Sequence, residues 1–166
     1  MYDGPFRKRL RYRGHDYGAP CCVHVTICTH NRQMLFGTLD ETGLTLNDAG
    51  HFACEALRAL HSDADGIAID THLVMPDHIH AIIALGTNPY VHTTVSVSDL
   101  VQRFKMRVMK SWPAGIRTRG WQPYDTRLWQ RSFYDALIVH ERQLEQTRAY
   151  ILANPARWIE RHTAAS

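Results

Sequence analysis

Apolar and polar positions alternate strictly in CCVHVTIC, where Val23, Val25 and Ile27 fall on one side and His24, Thr26 and Cys28 on the other. That period of two predicts a β-strand with one face in a core. The period then lengthens. In LNDAGHFACEALRALH, Phe52, Leu57 and Leu60 recur at helical spacing with alanines between them, and Asn47 or Asp48 is placed to cap the helix. GIAIDTHLVM and HIHAIIAL are β-rich runs joined by the turn-forming pair Pro76-Asp77, which predicts a hairpin. SDLVQRFKMRVMKSW returns to helical spacing through Leu100, Val101, Phe104 and Val108, with Ser98 or Asp99 as its cap. A Gly- and Pro-containing loop is expected from Pro113 to Pro123, then a short strand in SFYDALIV and a last helix in ERQLEQTRAYILAN.

The order strand, helix, hairpin, helix, strand, helix implies an α+β protein: a central antiparallel sheet with helices mainly on one face. With 166 residues and no linker, repeat or low-complexity tract, the whole chain 1–166 reads as one domain.

Charge changes this picture only through its distribution, because the formal net charge is just +3. A basic arm (about residues 1–18) contains RKRLRYR with Arg7, Arg9 and Arg11, and Arg103, Arg107 and Lys110 share one face of their predicted helix. Both sets are candidate phosphate contacts for a nucleic acid, and Trp129, Trp121 and Phe133 are candidate stacking platforms for bases. No apolar run reaches the roughly 18 residues of a membrane helix, and the N-terminus lacks a signal-peptide pattern. The four cysteines form no C-x-x-C pair, so reduced thiols in a cytoplasmic protein are expected, with no membrane partner.

Two features ask for chemistry. In VMPDHIHAII, His78 and His80 are two apart on a strand and so project from the same face, where two imidazoles can serve one divalent metal. On the last helix (about 141–154), Tyr150 lies within about 60° of Gln143, Gln146, Thr147 and Asn154, while Leu144 and Ile151 form the packing edge roughly 100–120° away. The phenol is presented on the polar side of its helix. Asn154, followed by Pro155, also suits the start of a short terminal helix in PARWIERH.

In combination, hydrophobic-Pro-Asp-His-hydrophobic-His in VMPDHIHAII and the later YILANPARW resemble the REP-associated tyrosine transposases, of the single-tyrosine branch of the HUH (His-hydrophobic-His) superfamily. VTICTHNRQMLF, DLVQRFKMRV and LWQRSFYDALI extend the resemblance over most of the chain. It implies a ferredoxin-like fold and metal-dependent cleavage and rejoining of single-stranded DNA beside a hairpin. By the same resemblance His78, His80 and Asn154 are metal ligands, Tyr150 is the nucleophile, and the cofactor is Mg²⁺ or Mn²⁺. The expected partner is single-stranded hairpin DNA, bound in the cytoplasm at the nucleoid by a monomer or homodimer. Two other readings stay open: a DNA- or RNA-hairpin-binding module with structural histidines, and a metal hydrolase using water.

Overall fold

The computed structural model describes residues 20–62, 65–90 and 93–163, the last three as backbone only. The expected basic arm, with Arg7, Arg9 and Arg11, lies outside the described residues. Strand β1 (Cys21–Cys28) keeps its alternation: every second residue from Cys21 is buried. It is followed by a short hairpin of β2 (Gly37–Asp40) and β3 (Gly43–Leu46), then α1 (Asp48–Arg58), β4 (Ile67–Val74), β5 (His78–Leu85), α2 (Val97–Arg119), β6 (Tyr134–Ile138), α3 (Glu141–Leu152) and α4 (Asn154–Thr163). The main sheet has the order β4-β5-β1-β6, and every neighbouring pair is antiparallel. With one helix after β1 and another after β5, this is the ferredoxin-like topology, carrying the β2–β3 hairpin as an insertion.

Helices α1 and α2 cover one face. Their Ala53, Leu57, Leu100, Phe104 and Val108 meet Val25 and Ile27 of β1 and Ile79, Ala81 and Ile83 of β5. The opposite face is partly covered by α3, whose Ile151 and Leu144 pack on Ile82 and Ile138. A strand covered on both sides needs apolar residues at every position, which is why HIHAIIAL runs almost unbroken. A bidentate pair holds α3 to β4: Arg148 donates from Nε to Asp70 Oδ1 at 2.9 Å and from Nη2 to Oδ2 at 2.6 Å. Among the described residues no helix is long and apolar enough to cross a membrane.

The termini of the elements refine the sequence reading. Asn47 caps α1, accepting from Gly50 N at 2.9 Å. For α2 the cap is Ser96, rather than Ser98 or Asp99, and Asp99 completes a reciprocal capping box from the third helical position. The expected loop at Pro113 is also corrected, because α2 continues through that proline to Arg119. A proline removes one helical hydrogen bond, but tertiary packing holds the turns beyond it. Trp112 is fully buried and donates to the Gln122 carbonyl at 3.0 Å, while the Trp121 indole folds back onto Gly115. The helix ends at Gly120 in the left-handed conformation (φ 66°).

A Cβ on Gly115 would stand 2.2 Å from the Trp121 ring. That ring packs against Trp112 and Phe52 and donates to Asp48, so it has little room to yield. Gly115→Ala is therefore expected to destabilise the fold by about 1–3 kcal/mol, read as a lower urea midpoint at unchanged m-value.

Candidate functional site

The site lies on the α3 side of the sheet and begins with strand register. Thr26 is paired with His80 and Cys28 with His78, so the polar face of β1 stands beside both imidazoles. Both histidines are buried, 5% and 4% exposed, and neighbouring side chains meet the Nδ1 atom of each. His78 donates from Nδ1 to Asp77 Oδ1 at 2.6 Å. His80 Nδ1 is 3.0 Å from Thr26 Oγ1 and 3.2 Å from His24 Nε2. With Nδ1 protonated on both rings, as the Asp77 carboxylate requires of His78 and the Thr26 hydroxyl allows for His80, each Nε2 turns a lone pair toward the other. The two Nε2 atoms are 3.2 Å apart, and Asn154 Nδ2 donates to His80 Nε2 at 3.2 Å; turning that amide over would present its Oδ1 to a cation instead.

Two imidazole nitrogens and an amide thus share one small volume. Ligand atoms at right angles on an ion with bonds of about 2.1–2.2 Å lie about 3 Å apart, so this spacing fits one divalent cation. Among the described residues no three His, Cys, Asp or Glu side chains converge on a point, and the third group here is an amide whose nitrogen faces His80. Burial, reinforced by charge on His78, His24 and Arg32, pushes the His80 imidazolium down to about 3. His80 is therefore neutral and able to donate a lone pair at physiological pH. Burial likewise lowers His24.

Asp77 anchors the arrangement. Its Oδ2 meets Arg32 Nε at 2.9 Å, and its backbone carbonyl accepts from Thr29 N and Thr29 Oγ1 at 3.0 and 2.9 Å. Burial alone would raise the carboxyl, but the His78 hydrogen bond and the charges of His78 and Arg32 hold it below the usual carboxylate range. A carboxylate that fixes the tautomer and ring plane of a histidine is what a metal-ligating imidazole ordinarily has behind it.

Tyr150 stands beside this cluster and is not sealed in the core, being 39% exposed. Its ring meets His80 edge-on at 5.7 Å between centroids and His24 at 6.1 Å. The Arg157 guanidinium lies over the phenol ring, 5.3 Å from its centroid, and places a cation next to the hydroxyl-bearing residue. Helix α3 gives way to α4 at Ala153, and Asn154, the first residue of α4, is only 3% exposed.

The structure thus brings His78, His80, Asn154 and Tyr150 together and leaves other expected residues apart. Arg103, Arg107 and Lys110 are exposed on α2, the helix that covers the opposite face of the sheet. Trp129 does not offer a stacking face. It is 7% exposed, packs against Phe36 and Phe104, and donates to the Lys105 carbonyl at 3.1 Å. Trp121 is buried and Phe133 packs against the same core. Sequence reasoning missed His24, Thr26, Asp77, Arg32 and Arg157. A signal existed for two sets: His24 and Thr26 form the polar face of an alternating strand, and Asp77 directly precedes the histidine pair, where it was taken for a turn residue.

Fold and site together define a ferredoxin-like α+β protein with paired histidines on the sheet and a tyrosine helix laid beside them. Residues 19–154 match the transposase family described as IS200-like, and the chain belongs to that family. It is 26% identical over 168 residues to an uncharacterised protein of Haemophilus influenzae, covering 92% of this chain and 89% of that one. Among solved structures it resembles a REP-associated tyrosine transposase bound to a REP hairpin (TM-score 0.56, 17% identity, 84% of this chain and 70% of that one). It also resembles a candidate transposase from Deinococcus radiodurans R1 (TM-score 0.50, 19% identity, 84% of this chain and 94% of that one). Both likenesses are of fold.

Proposed function

We propose that this transposase-family protein cuts and rejoins single-stranded DNA beside a REP-like hairpin, with Tyr150 as nucleophile and His78, His80 and Asn154 as ligands of Mg²⁺ or Mn²⁺. The observation that carries the reading is the meeting of two Nε2 lone pairs and one amide within 3.2 Å contacts, next to a partly exposed phenol. Two imidazole nitrogens and an amide oxygen leave open positions and suit Mg²⁺ or Mn²⁺ better than a thiolate-seeking ion. A divalent cation bound there would supply Lewis-acid polarisation of a phosphodiester.

The chain's own groups do the rest. Asp77, clamped by Arg32, fixes the His78 ring, and Thr26 and His24 fix that of His80. Arg157 holds the Tyr150 ring and adds positive charge where an anionic strand would approach. The phenol oxygen forms a bond to phosphorus as its proton leaves, and the bond from phosphorus to the 3′ oxygen breaks. That oxygen takes up a proton and departs as a 3′-hydroxyl, leaving a 5′-phosphotyrosine. The ester linkage is conserved, so attack by a 3′-hydroxyl can reverse the step and join strands without an external energy source.

The test is direct. Wild-type protein incubated with hairpin-bearing single-stranded DNA and Mn²⁺ is expected to give a denaturation-resistant adduct mapping to Tyr150, and Tyr150→Phe is expected to give none. Hairpin binding that persists in chelator, with no adduct from wild type on any hairpin, would overturn this reading in favour of a non-catalytic hairpin-binding module.

A second consequence concerns the carboxylate behind the metal ligand. Asp77→Asn keeps the shape but removes the charge that orients His78, and Mn²⁺ affinity measured by titration calorimetry is expected to fall about 10–100-fold. Unchanged affinity would show that Asp77 serves the turn alone.

A further inference from the structure

The end of β1 nearest His78 opens into a cleft of about 440 Å³ that the proposed chemistry does not use. Arg32, Arg127 and Arg131 line it, together with the amides of Asn31 and Gln130 and the hydroxyl of Ser132, and no acidic residue does so among the described residues. Such a lining selects an anion, and guanidinium groups match phosphate oxygens in a bidentate manner. A volume of this order takes a ligand of small-molecule size.

Both walls are built rather than loose. On one side Asn31 and Arg32 are consecutive non-glycine residues in the left-handed region, at φ 53° and 55°. Backbone held there is costly and collects at functional sites. Here it swings the Arg32 side chain back to Cys28 Sγ (2.9 Å) and Asp77 Oδ2 (2.9 Å). On the other side, Leu128 and Trp129 are anchored in the core between cleft-lining Arg127 and Gln130, and Lys105 Nζ donates to the Gln130 and Ser132 carbonyls at 2.8 and 3.4 Å. Gln130 N also donates to the Cys28 carbonyl at 2.9 Å, tying this wall to β1.

The cleft communicates with the histidine pair through Arg32, Asp77 and His78, in two contacts of 2.9 and 2.6 Å. We infer that it holds one nucleotide of the single-stranded segment flanking the reactive phosphate: its phosphate on Arg127 and Arg131, and its base edge against the Asn31 and Gln130 amides. This rests on the DNA reading above and deepens it. The cleft would set which linkage reaches Tyr150, because a nucleotide seated there fixes the register of the strand relative to the cation site.

The experiment compares hairpin oligonucleotides without a tail and with single-stranded tails of about two to six nucleotides on either side. Anisotropy binding is measured in a Tyr150→Phe background, so that no covalent step intervenes, with and without Arg127→Ala and Arg131→Ala together. A tail is expected to strengthen binding by about tenfold or more, and the double substitution to abolish that increment while lowering the salt slope by roughly one to two. Tail increments that are equal in both proteins, or absent from the parent, would overturn the assignment. If wild type gives no adduct but the tail increment depends on the two arginines, the cleft stands and the transesterase reading falls.

Discussion

His80→Ala is expected to eliminate adduct formation, by at least about a thousandfold, while leaving hairpin affinity within a few-fold of wild type. His80 is the centre of the candidate site: its Nε2 faces both His78 and Asn154, and its Nδ1 meets Thr26 and His24. Removing it deletes one donor and frees the two groups that held it in place, so Mn²⁺ affinity and strand cleavage should fall together. Loss of a metal donor removes the Lewis-acid contribution, worth several kcal/mol of transition-state stabilisation, and each 1.4 kcal/mol is tenfold in rate. Thermal unfolding should also move, by the equivalent of about 1–3 kcal/mol, because the buried Asn154 amide and the Thr26 hydroxyl lose a partner, so adduct yield is compared at a temperature where both proteins are folded. An adduct yield near wild type would remove the paired imidazoles from the chemistry.

The largest effect on stability is expected at Trp112. The side chain is fully buried, meets Phe36, Trp121 and Tyr124, and satisfies the Gln122 carbonyl. Trp112→Ala opens a cavity and orphans that carbonyl, which together are expected to cost about 3–5 kcal/mol. For a chain of this length that corresponds to a fall in Tm of roughly 10 °C. It should also loosen the segment of α2 beyond Pro113, read as faster amide exchange from Ala114 to Arg119 than in wild type. Normal protection there would place the anchor of that segment elsewhere.

Much of the sheet was legible in the sequence because its information is local. The alternation of β1 and the turn between β4 and β5 sit within single windows of the chain, and both formed as expected. The β2–β3 hairpin was not legible, since two four-residue strands give too few alternations to stand out. Pro113 misled for a related reason: its local penalty is visible in sequence, whereas the packing of Trp112 and Trp121 that outweighs it comes from the fold.

The same division runs through the site. His78, His80 and Tyr150 could be singled out by residue type, period and order. Their supporting groups were harder to single out: the alternation of β1 marks His24 and Thr26 as one polar face, but only strand pairing joins that face to His80, and Arg32 arrives through a strained turn. Trp129 illustrates the opposite error, in which an aromatic residue near basic neighbours was read as a binding platform and proved to be an internal anchor.

Pairing of β1 with β5 aligns Thr26 with His80 and Cys28 with His78 and, in the same stroke, turns Ile27 and Ile79 toward the helices. A slip of one residue would send the imidazoles inward and the isoleucines outward, since side chains alternate between faces. Assembly therefore proofreads itself: a molecule misaligned at these two strands fails to fold, and no stable yet inert population accumulates beside the competent one.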